Sequence, residues 1–459
     1  MKPIFRPLFA SIVPLLALPL LANELPTPGA SADLSPTSIL DPMQRVGDWQ
    51  LAHPVTERPT GWICAVGDIG MMALAGISGD PKYRLAMLAK GNAQNWRLPE
   101  YRGRKYHADD QCIGQVWTEL YFLYRENKMI GPTRAKMDFI LAHPPADPSL
   151  EMERGRTPQS WSWCDALFMA PPTWVRLYAA TGDKRYLNYA LANFWRTADF
   201  LYDKDEHLFF RDSTFFDRRE PNGKKIFWGR GNGWVLAGIV RILQYLPENN
   251  PERPRFERLF RDMAAKILAC QQSDGMWRSS LLDPADYPTP EASGSALFTY
   301  GLAWGINQGL LDRATYEPGV RKAWTALVQC VNASGKVTHI QAAGAEPSRF
   351  DPAASALYGA GVFLLAGSEV YRMVVLENAS PVVVKVANPG NFRRDCETVG
   401  LFINGRKAAP ALKSLAASAK ELAVMDGRSS RLLASQAYWP STNGEKFLFQ
   451  VDLAPGETR

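Results

Sequence analysis

Apolar residues recur at helical spacing from about residue 39 to residue 372. Within this region, residues 61–96 and residues 171–203 each contain an apolar helix, a Gly-Asp breaker and a second helix that ends near a tryptophan. A related unit, with GLLDRATY as its breaker, occupies residues 300–327. The glycine ends one helix and the aspartate caps the next. Repeated helix pairs without period-two alternation predict a helical toroid built from αα units.

The pattern changes near Tyr371. The stretch YRMVVLENASPVVVKVANPG is rich in valine and partly alternating, and Pro-Gly and Asn-Gly dipeptides punctuate it and the segment that follows. These are strand and turn signals, so residues 373–459 are predicted to form a small β-rich module. Its last segment, FLFQVDLAPGETR, is a strand that runs into a turn without a closing partner, which suggests that the module is incomplete.

The N-terminus carries the pattern of a secretory signal peptide. Lys2 and Arg6 give a basic start, and residues 8–21 form an apolar stretch with several prolines. This stretch is too short for a membrane span, so residues 1–22 are assigned as a cleaved signal peptide and residues 23–38 as a linker. No later stretch approaches the roughly 20 continuous apolar residues that a span requires. The mature protein is therefore predicted to be exported, either periplasmic or secreted, without a membrane span.

Composition narrows the class of protein. With 46% hydrophobic and 21% charged residues among 459, the chain is globular and long enough for two domains. The net charge of +6 is scattered rather than gathered into basic runs, which argues against nucleic-acid binding. Fourteen tryptophans and sixteen tyrosines fit a carbohydrate-handling protein, although a helical core could also hold them.

The cysteines indicate no metal site. The CxxC spacing that is typical of zinc sites is absent from the six cysteines, which are Cys64, Cys112, Cys164, Cys270, Cys330 and Cys396. Export would allow disulfides, but the first five lie in apolar, helix-like stretches where buried free thiols are at least as compatible. The sequence leaves that choice open.

Two stretches place acids among aromatic residues at helix starts. YHADDQCIGQVWTELY contains Asp109 and Asp110, and SWSWCDALFMAPPTWVRLY contains Asp165. One of the first two could cap the following helix while the other faces a cavity, and Asp165 could also be a cap. An acid among tryptophans and methionine would, however, be desolvated, which raises its pKa and leaves it partly protonated near neutral pH. A general acid requires that property, so these three aspartates are the candidate catalytic residues.

Other candidate residues would bind the substrate. FWGRGNGWVL holds Trp228, Arg230 and Trp234. Its glycines allow positive φ and close approach of the backbone to another group, arginine suits carboxylates, and tryptophan stacks on sugar rings. A tight turn with a cation–π contact is the alternative. Glu291 precedes another apolar helix, and His207 sits at a turn, where a structural role is the commoner case. Since alternate helix N-termini gather at one end of a toroid, these side chains are predicted to line one pocket.

Five motifs in order resemble those of glycoside hydrolase family 105, the unsaturated rhamnogalacturonyl hydrolases and their relatives. They are ADDQCIGQ, WCDALFMAPP, WGRGNGW, EASGSA and YGAGVFLLAGSE. The resemblance implies that residues 39–372 form an all-α (α/α)6 barrel that is the catalytic domain. The C-terminal strands, with NPGNFRRDCETVGL, resemble the start of a domain of unknown function found beside such enzymes.

The resemblance also implies roles for the candidate residues. Asp165 would be the general acid/base, and Asp109 or Asp110 a second essential carboxylate. The residues implied to line the substrate site are Trp228, Arg230 and Trp234, and His207 matches a pocket histidine. No cofactor and no metal are implied.

The implied substrate is an oligosaccharide whose non-reducing end is a 4,5-unsaturated uronic acid left by a polysaccharide lyase. Protonation at C4 would give an oxygen-stabilised cation at C5, water would add there, and the hemiketal would collapse to release the aglycone. The aglycone is left open, because rhamnose from pectin and the partners of unsaturated glucuronyl ends in other acidic polysaccharides are equally compatible. The oligomeric state is also left open.

Three other functions are compatible with the sequence. An ordinary inverting glycosidase would use two carboxyls at the anomeric carbon, Asp165 with Glu291 or Asp110. A polysaccharide lyase would create the double bond that the favoured enzyme destroys. A non-catalytic protein that binds acidic sugars would keep all its measurable properties in an Asp165→Asn variant. Helical toroids host many activities, so the fold does not choose among these.

Overall fold

The computed structural model describes residues 34–153, 158–377, 384–389, 394–402, 424–426, 433, 435–441 and 444–458. The predicted signal peptide, residues 1–22, and most of the predicted linker lie outside these residues. Within the described part of the chain the α-helices are α1 (Pro36–Ala52), α2 (Trp62–Ser78), α3 (Pro81–Ala93), α4 (Gly114–Tyr124), α5 (Gly131–Ala142), α6 (Ala166–Met169), α7 (Pro171–Thr181), α8 (Lys184–Leu201), α9 (Gly229–Leu243), α10 (Arg253–Ala269), α11 (Ala292–Asn307), α12 (Arg313–Gln329) and α13 (Leu357–Glu377). The strands are β1 (Tyr202–Asp203), β2 (Leu208–Phe209), β3 (Arg394–Phe402), β4 (Ser435–Ser441) and β5 (Gly444–Leu453).

Apart from the one-turn helix α6, the helices alternate between an inner and an outer ring. The inner helices α2, α4, α7, α9, α11 and α13 contact one another in sequence, and α13 packs against α2 to close the ring. Every residue of α9 and α11 is buried, as expected for helices surrounded by protein, whereas the outer helices α8 and α10 bury one face. Six closed helix pairs form an (α/α)6 barrel, so the predicted fold class is confirmed.

The Gly-Asp breakers join inner to outer helices as the sequence predicts. Gly79 and Gly182 end α2 and α7 in the left-handed conformation, with φ of 68° and 72°. Asp80 then accepts a hydrogen bond of 2.9 Å from the main-chain N–H of Lys82, and Asp183 caps α8 in the same way. Short loops of this kind force each outer helix to run antiparallel beside its inner partner.

The helical region ends later than the sequence predicts. Helix α13 continues to Glu377, although the valine-rich stretch from Tyr371 onward was expected to begin the β module. Val374 and Val375 are buried in the barrel, so tertiary packing outweighs their preference for strands. Helix α13 is also long and apolar enough to span a membrane, which the sequence analysis did not anticipate, but 89% of its apolar window is buried inside the protein.

A small antiparallel sheet follows the barrel. Its order is β3-β5-β4, and Phe449, Val451 and Leu453 form its core. Thr398 of β3 donates a hydrogen bond of 3.0 Å to the main-chain oxygen of Phe122, near the C-terminal end of inner helix α4. The sheet therefore packs against the end of the barrel opposite to the N-termini of the inner helices.

Candidate active site

Asp165 stands just before α6, at the N-terminal end of inner helix α7. Its carboxyl makes no cap bond to α6, which removes the alternative that this aspartate is a helix cap. The Sγ of Cys164 donates to Oδ2 of Asp165 at 3.4 Å, and the Nε of Arg211 lies 3.7 Å from the same oxygen. Burial raises the pKa of Asp165, and Arg211 opposes that shift.

The two adjacent aspartates of the earlier motif have different surroundings. Asp110 is buried, and its Oδ1 accepts a hydrogen bond of 2.8 Å from Nη2 of Arg104. Burial, together with the negative charge of Asp165, raises the pKa of Asp109 to about 7. Asp109 therefore lies within electrostatic range of Asp165, and we call these two residues the carboxyl pair, whereas Asp110 is bound to Arg104. The side chains of Asp109 and Asp165 retain 21% and 11% exposure, so both reach an opening to solvent.

A neutral histidine completes the surroundings of the carboxyl pair. Nδ1 of His107 lies 3.7 Å from Oδ2 of Asp109, and its ring packs on Trp163 with centroids 4.8 Å apart. Burial, helped by the positive charges of Arg104 and Arg211, lowers the pKa of His107 to about 3. The imidazole is uncharged at neutral pH, so it does not compete with the two carboxyls as a proton donor.

Arg230 lies in a helix and not in a loop, and main-chain oxygens hold its guanidinium. It lies in the first turn of α9, where its guanidinium donates to the carbonyls of Gln341 (2.7 Å) and Ala342 (2.8 Å). The guanidinium also stands over the ring of Trp228, 4.6 Å from its centroid. Trp228 is buried and donates through Nε1 to Gln341. The predicted cation–π contact is therefore present, and it orients a cation whose charge reaches Asp165.

The glycines of this motif act through close packing. Of the two roles that the sequence allows for them, positive φ is wrong, because Gly229, Gly231 and Gly233 lie within α9 and none has positive φ, whereas close approach of the backbone is confirmed. A Cβ on Gly231 would stand 3.1 Å from Sγ of Cys164. Glycine at this position thus lets α9 approach the segment that carries Asp165.

Trp234 and Glu291 have structural surroundings. Trp234 is 1% exposed and packs edge-on against Trp62, with centroids 6.5 Å apart, so the half-buried Trp62 is the ring nearer to solvent. Glu291 caps α11, because its carboxylate accepts from the main-chain N–H groups of Ser293 (3.1 Å) and Gly294 (2.6 Å). These bonds occupy Glu291 as a cap and as a support for the segment beside Arg230, not as a free carboxyl.

The structure does not bring His207 to the carboxyl pair. It occupies the exposed turn between β1 and β2 with φ of 55°, and its Nδ1 lies 2.9 Å from the hydroxyl of Tyr202. The resemblance implies that His207 lies in the pocket, and the structure does not place it there. The exposed turn and the contact with Tyr202 account for its position instead. His207 lies between β1 and β2 and so belongs to none of the inner helices.

Sequence reasoning missed Arg211 and His107. Arg211 lies four residues after His207, in the segment DEHLFFRDSTFF, where the histidine is the more conspicuous candidate. Its position depends on long-range main-chain bonds: Cys164 N–H donates to the oxygen of Arg211 (2.8 Å), and the Asn232 side chain pairs with both main-chain groups of Phe209. His107 precedes the Asp pair by two residues, and that proximity was its only signal.

Among the described residues, no group of three or more His, Cys, Asp or Glu side chains is placed to hold a metal ion. The five cysteines whose side chains are described are free thiols, and Cys396 lies outside the described side chains. A separate cavity of about 210 Å³ lies between the inner helices and the C-terminal sheet, at the opposite end from Asp165. Two of the charged residues that line it, Glu119 and Arg241, pair with each other at 2.6 Å.

A buried carboxyl, Asp165, and a half-buried one, Asp109, lie beside a fixed arginine and aromatic side chains in a helical toroid, which is the arrangement of a carbohydrate-active acid/base enzyme. The sequence model of Glycosyl Hydrolase Family 88 matches residues 41–374, and the chain belongs to this family, which is grouped with family 105. It is a glycoside hydrolase.

Similar proteins cover most of the chain. An "Unsaturated 3S-rhamnoglycuronyl hydrolase" of Formosa agariphila is 38% identical over 360 residues, which is 75% of this chain and 93% of that relative. A structure of a glycosyl hydrolase family 88 protein from Bacteroides vulgatus has a TM-score of 0.68 at 31% identity, covering 74% of this chain and 100% of its own. A structure described as a polysaccharide lyase has a TM-score of 0.67 at 32% identity, covering 76% of this chain and 100% of its own.

Proposed function

We propose that the protein removes a 4,5-unsaturated uronic acid from the non-reducing end of an oligosaccharide by hydrating the C4=C5 double bond. The observation that carries the proposal is the pair Asp109–Asp165. Because the pKa of Asp109 is raised to about 7 by burial and by Asp165, the pair keeps one proton near neutral pH. The name of the Formosa relative supports both the unsaturated uronyl end and rhamnose as the next sugar.

Hydration of the double bond needs one proton donor and one base. In the proposed reaction a carboxyl of the pair gives its proton to C4, and the ring oxygen stabilises the cation at C5. Water then adds its oxygen to C5 while the carboxylate takes the water's proton, which restores the carboxyl. The hemiketal opens and the aglycone leaves C1 as an alcohol. The sum is one water consumed, with no group on the protein changed.

We assign the proton transfer to Asp165. Its carboxyl has no structural duty as a cap, and Oδ2 faces both Cys164 and Arg211. When the proton leaves Asp165, the guanidinium of Arg211 stabilises the carboxylate that forms. Asp109 is the second carboxyl: it holds a proton near neutral pH, which the two carboxyls share in the proposed reaction so that Asp165 can deliver it to C4.

Of the two cations in this site, one is open to the uronate carboxylate. Arg211 has a side chain that is 20% exposed, whereas Arg230 is buried and stands beside Trp228. Trp62, half-buried between Trp234 and Tyr358, offers a flat apolar face for the planar unsaturated ring. A charged ring with one flat face therefore fits the site better than a neutral pyranose.

A polysaccharide lyase is the second candidate, because one similar structure is described as such. A lyase forms the C4=C5 bond and a hydrolase of the proposed type removes it, so the two differ in the direction of the change. The test is incubation in deuterium oxide with an unsaturated disaccharide, followed by NMR of the product. Hydration places deuterium at C4, direct hydrolysis at the anomeric carbon leaves the double bond intact, and a lyase leaves this substrate unchanged.

We also propose that the protein is exported. The basic start and apolar stretch of residues 1–22 support this proposal. Expression of the full chain in a bacterium, followed by fractionation and N-terminal sequencing, tests it. A mature N-terminus near residue 23 in the periplasm or medium is expected, and an uncleaved cytoplasmic protein would contradict it.

A further inference from the structure

The thiol of Cys164 lies against the carboxyl to which we assign the proton transfer. Its Sγ donates to Oδ2 of Asp165 at 3.4 Å, and the Nε of Arg211 stands 3.7 Å from the same oxygen. A further contact comes from the main-chain N–H of Asp165 itself, which closes a small, bent ring and is therefore weak. Both neighbouring side chains thus address Oδ2, which leaves Oδ1 to carry the proton of the acid form.

Backbone contacts hold this sulfur in place. Cys164 is fully buried, and its main-chain N–H donates to the carbonyl oxygen of Arg211 at 2.8 Å. On the other side, a Cβ on Gly231 would stand only 3.1 Å from Sγ, so α9 packs directly on the thiol. Such close packing limits the rotation of the thiol away from Asp165.

A thiol suits this position because it is a weak donor that keeps its proton. Burial, together with the negative charge of Asp165, holds the pKa of the Cys164 thiol well above its usual range. The sulfur therefore orients the carboxyl without exchanging protons with it at neutral pH. A hydroxyl in its place would donate more strongly and would favour the ionised carboxyl, which has no proton to give to C4.

We propose that Cys164 is a positioning residue whose thiol fixes Oδ2 of Asp165, so that Oδ1 is the oxygen that delivers the proton to C4. The inference rests on the proposed function, because the protonation of C4 is what gives Oδ1 this task. In each turnover the proton leaves Oδ1 for C4, and the water that adds at C5 returns a proton to the carboxylate. The S–H bond of Cys164 stays intact throughout.

The kinetic test measures kcat and KM across pH with an unsaturated glucuronyl-rhamnose disaccharide. Cys164→Ala removes the donor, so the pKa of Asp165 should rise and the alkaline limb of kcat/KM should move to higher pH. Its kcat should fall about five- to tenfold, because the carboxyl is no longer oriented. Cys164→Ser supplies a stronger donor, so its limb should move to lower pH while kcat below the limb stays closer to that of the wild type. KM should change in neither variant.

Cys330→Ala is the matched control. Cys330 is also fully buried, and its Sγ donates to the main-chain oxygen of Ala326 at 3.7 Å. Its charged neighbours are Glu291 and Asp274 rather than the carboxyl pair. Loss of this thiol should lower the free energy of unfolding, as Cys164→Ala does, and should leave the alkaline limb in place. A purely structural role for Cys164 would make the two alanine variants alike.

A spectroscopic test observes the thiol itself. The infrared S–H stretching band lies in a window free of other protein bands, and it moves to lower frequency as the hydrogen bond strengthens. The difference between the spectra of the wild type and Cys164→Ala isolates the band of Cys164. Because a carboxylate accepts more strongly than a neutral carboxyl, this band should move to lower frequency over the pH range of the alkaline limb. In an Asp165→Asn background the same difference should give a band that does not move with pH.

The Asp165→Asn background separates Asp165 from its charged surroundings. The titratable groups that face the carboxyl pair are His107, Arg104, Asp110, Arg211 and Arg230, and Asp212 also faces the thiol. All of them, together with Asp109, remain when Asp165 becomes asparagine. A band that follows pH in the wild type and not in this background therefore reports the ionisation of Asp165.

The outcomes separate the two proposals. If the alkaline limb stays in place in both Cys164 variants, or if the Cys164 band ignores pH in the wild type, the positioning role is overturned and the proposed function stands. If Cys164→Ala fails to fold, Cys164→Ser replaces it in both tests. If the wild type leaves the double bond intact, the proposed function fails, and the task of Oδ1 fails with it even where the band shows the hydrogen bond.

Discussion

Nε of Arg211 lies 3.7 Å from Oδ2 of Asp165, and the two residues are also joined through the main chain by the hydrogen bond from Cys164 to the oxygen of Arg211. Asp212 fixes the other end of the guanidinium, with Nη1 to Oδ2 at 2.6 Å. The cation therefore cannot turn away from Asp165 without breaking a buried ion pair. It counteracts the effect of burial on the Asp165 carboxyl, which would otherwise be harder to ionise after it gives up its proton.

Arg211→Gln should change both the rate and its pH dependence. Loss of the nearby cation raises the pKa of Asp165, so the alkaline limb of the kcat/KM profile should move to higher pH. Since the carboxylate formed in the reaction is no longer stabilised, kcat should fall about ten- to a hundredfold, equivalent to roughly 1–3 kcal/mol. Steady-state kinetics across pH provide the check. Arg211→Lys keeps the charge and should hold the limb closer to that of the wild type; an unmoved limb in the glutamine variant would contradict this role.

Asp109→Asn should mainly lower activity, whereas Asp110→Asn should mainly lower stability. Asp109→Asn removes a reacting carboxyl and should lower kcat by about 10²- to 10⁴-fold. Asp110→Asn instead weakens the bond to Arg104, so it should lower the free energy of unfolding by about 1–3 kcal/mol while kcat falls much less. Parallel kinetics and urea denaturation distinguish the two. If Asp110→Asn proved the more damaging to kcat, the assignment of the pair would be wrong.

The stability of the protein should depend on the charge of Asp109. Its pKa is about 7 in the folded protein against an ordinary 3.8, so the folded state binds the proton more tightly than the unfolded state. Stability from this group is complete below about pH 4 and is lost as the pH rises toward 7. Asp109→Asn should therefore be more stable than the wild type at pH 8, by up to about 4 kcal/mol because each pKa unit corresponds to about 1.4 kcal/mol, with the difference shrinking at pH 4. Urea midpoints at both pH values measure it, and a constant difference would exclude this linkage.

Glu291→Ala should act on stability. Its carboxylate accepts from two N–H groups of α11 and from the main-chain N–H of Gln341, all buried, so truncation leaves three donors without partners. We expect a loss of about 2–4 kcal/mol in the free energy of unfolding. Asp312→Ala, at the exposed cap of α12, is the matched control and should cost about 0.5–2 kcal/mol. A Glu291→Ala variant of wild-type stability but weakened substrate binding would return Glu291 to the list of substrate ligands.

The helical toroid could be predicted from the sequence because its signals are local. A left-handed glycine and a capping aspartate, as at Gly182 and Asp183, mark each helix pair within a few residues. The late end of α13 could not be predicted from the sequence. Val374 and Val375 favour strands by intrinsic propensity, and their burial in the barrel outweighs that preference. Local propensity therefore placed the barrel correctly and its last boundary too early.

The candidate site was predictable in part for the same reason. The apolar neighbours of Asp165 predict a desolvated carboxyl, and in the structure this carboxyl makes no capping hydrogen bond to α6. The choice between Asp109 and Asp110 depends on which side of one tight turn meets Arg104, and that requires coordinates. Arg211 is 46 positions after Asp165 and reaches it only through main-chain bonds, which leave no mark in the sequence.

The central claim is that the carboxyl pair removes the C4=C5 double bond, and the ultraviolet absorbance of that bond tests it most directly. Wild-type protein is mixed with an unsaturated glucuronyl-rhamnose disaccharide, with and without a sulfate ester on the rhamnose, beside Asp165→Asn and the control Arg255→Gln, which changes an exposed arginine on the outer helix α10. The account predicts that the absorbance falls with the wild type and with Arg255→Gln, and stays constant with Asp165→Asn. Release of rhamnose with the absorbance intact, a fall in absorbance that persists in Asp165→Asn, or no change with the wild type would contradict it.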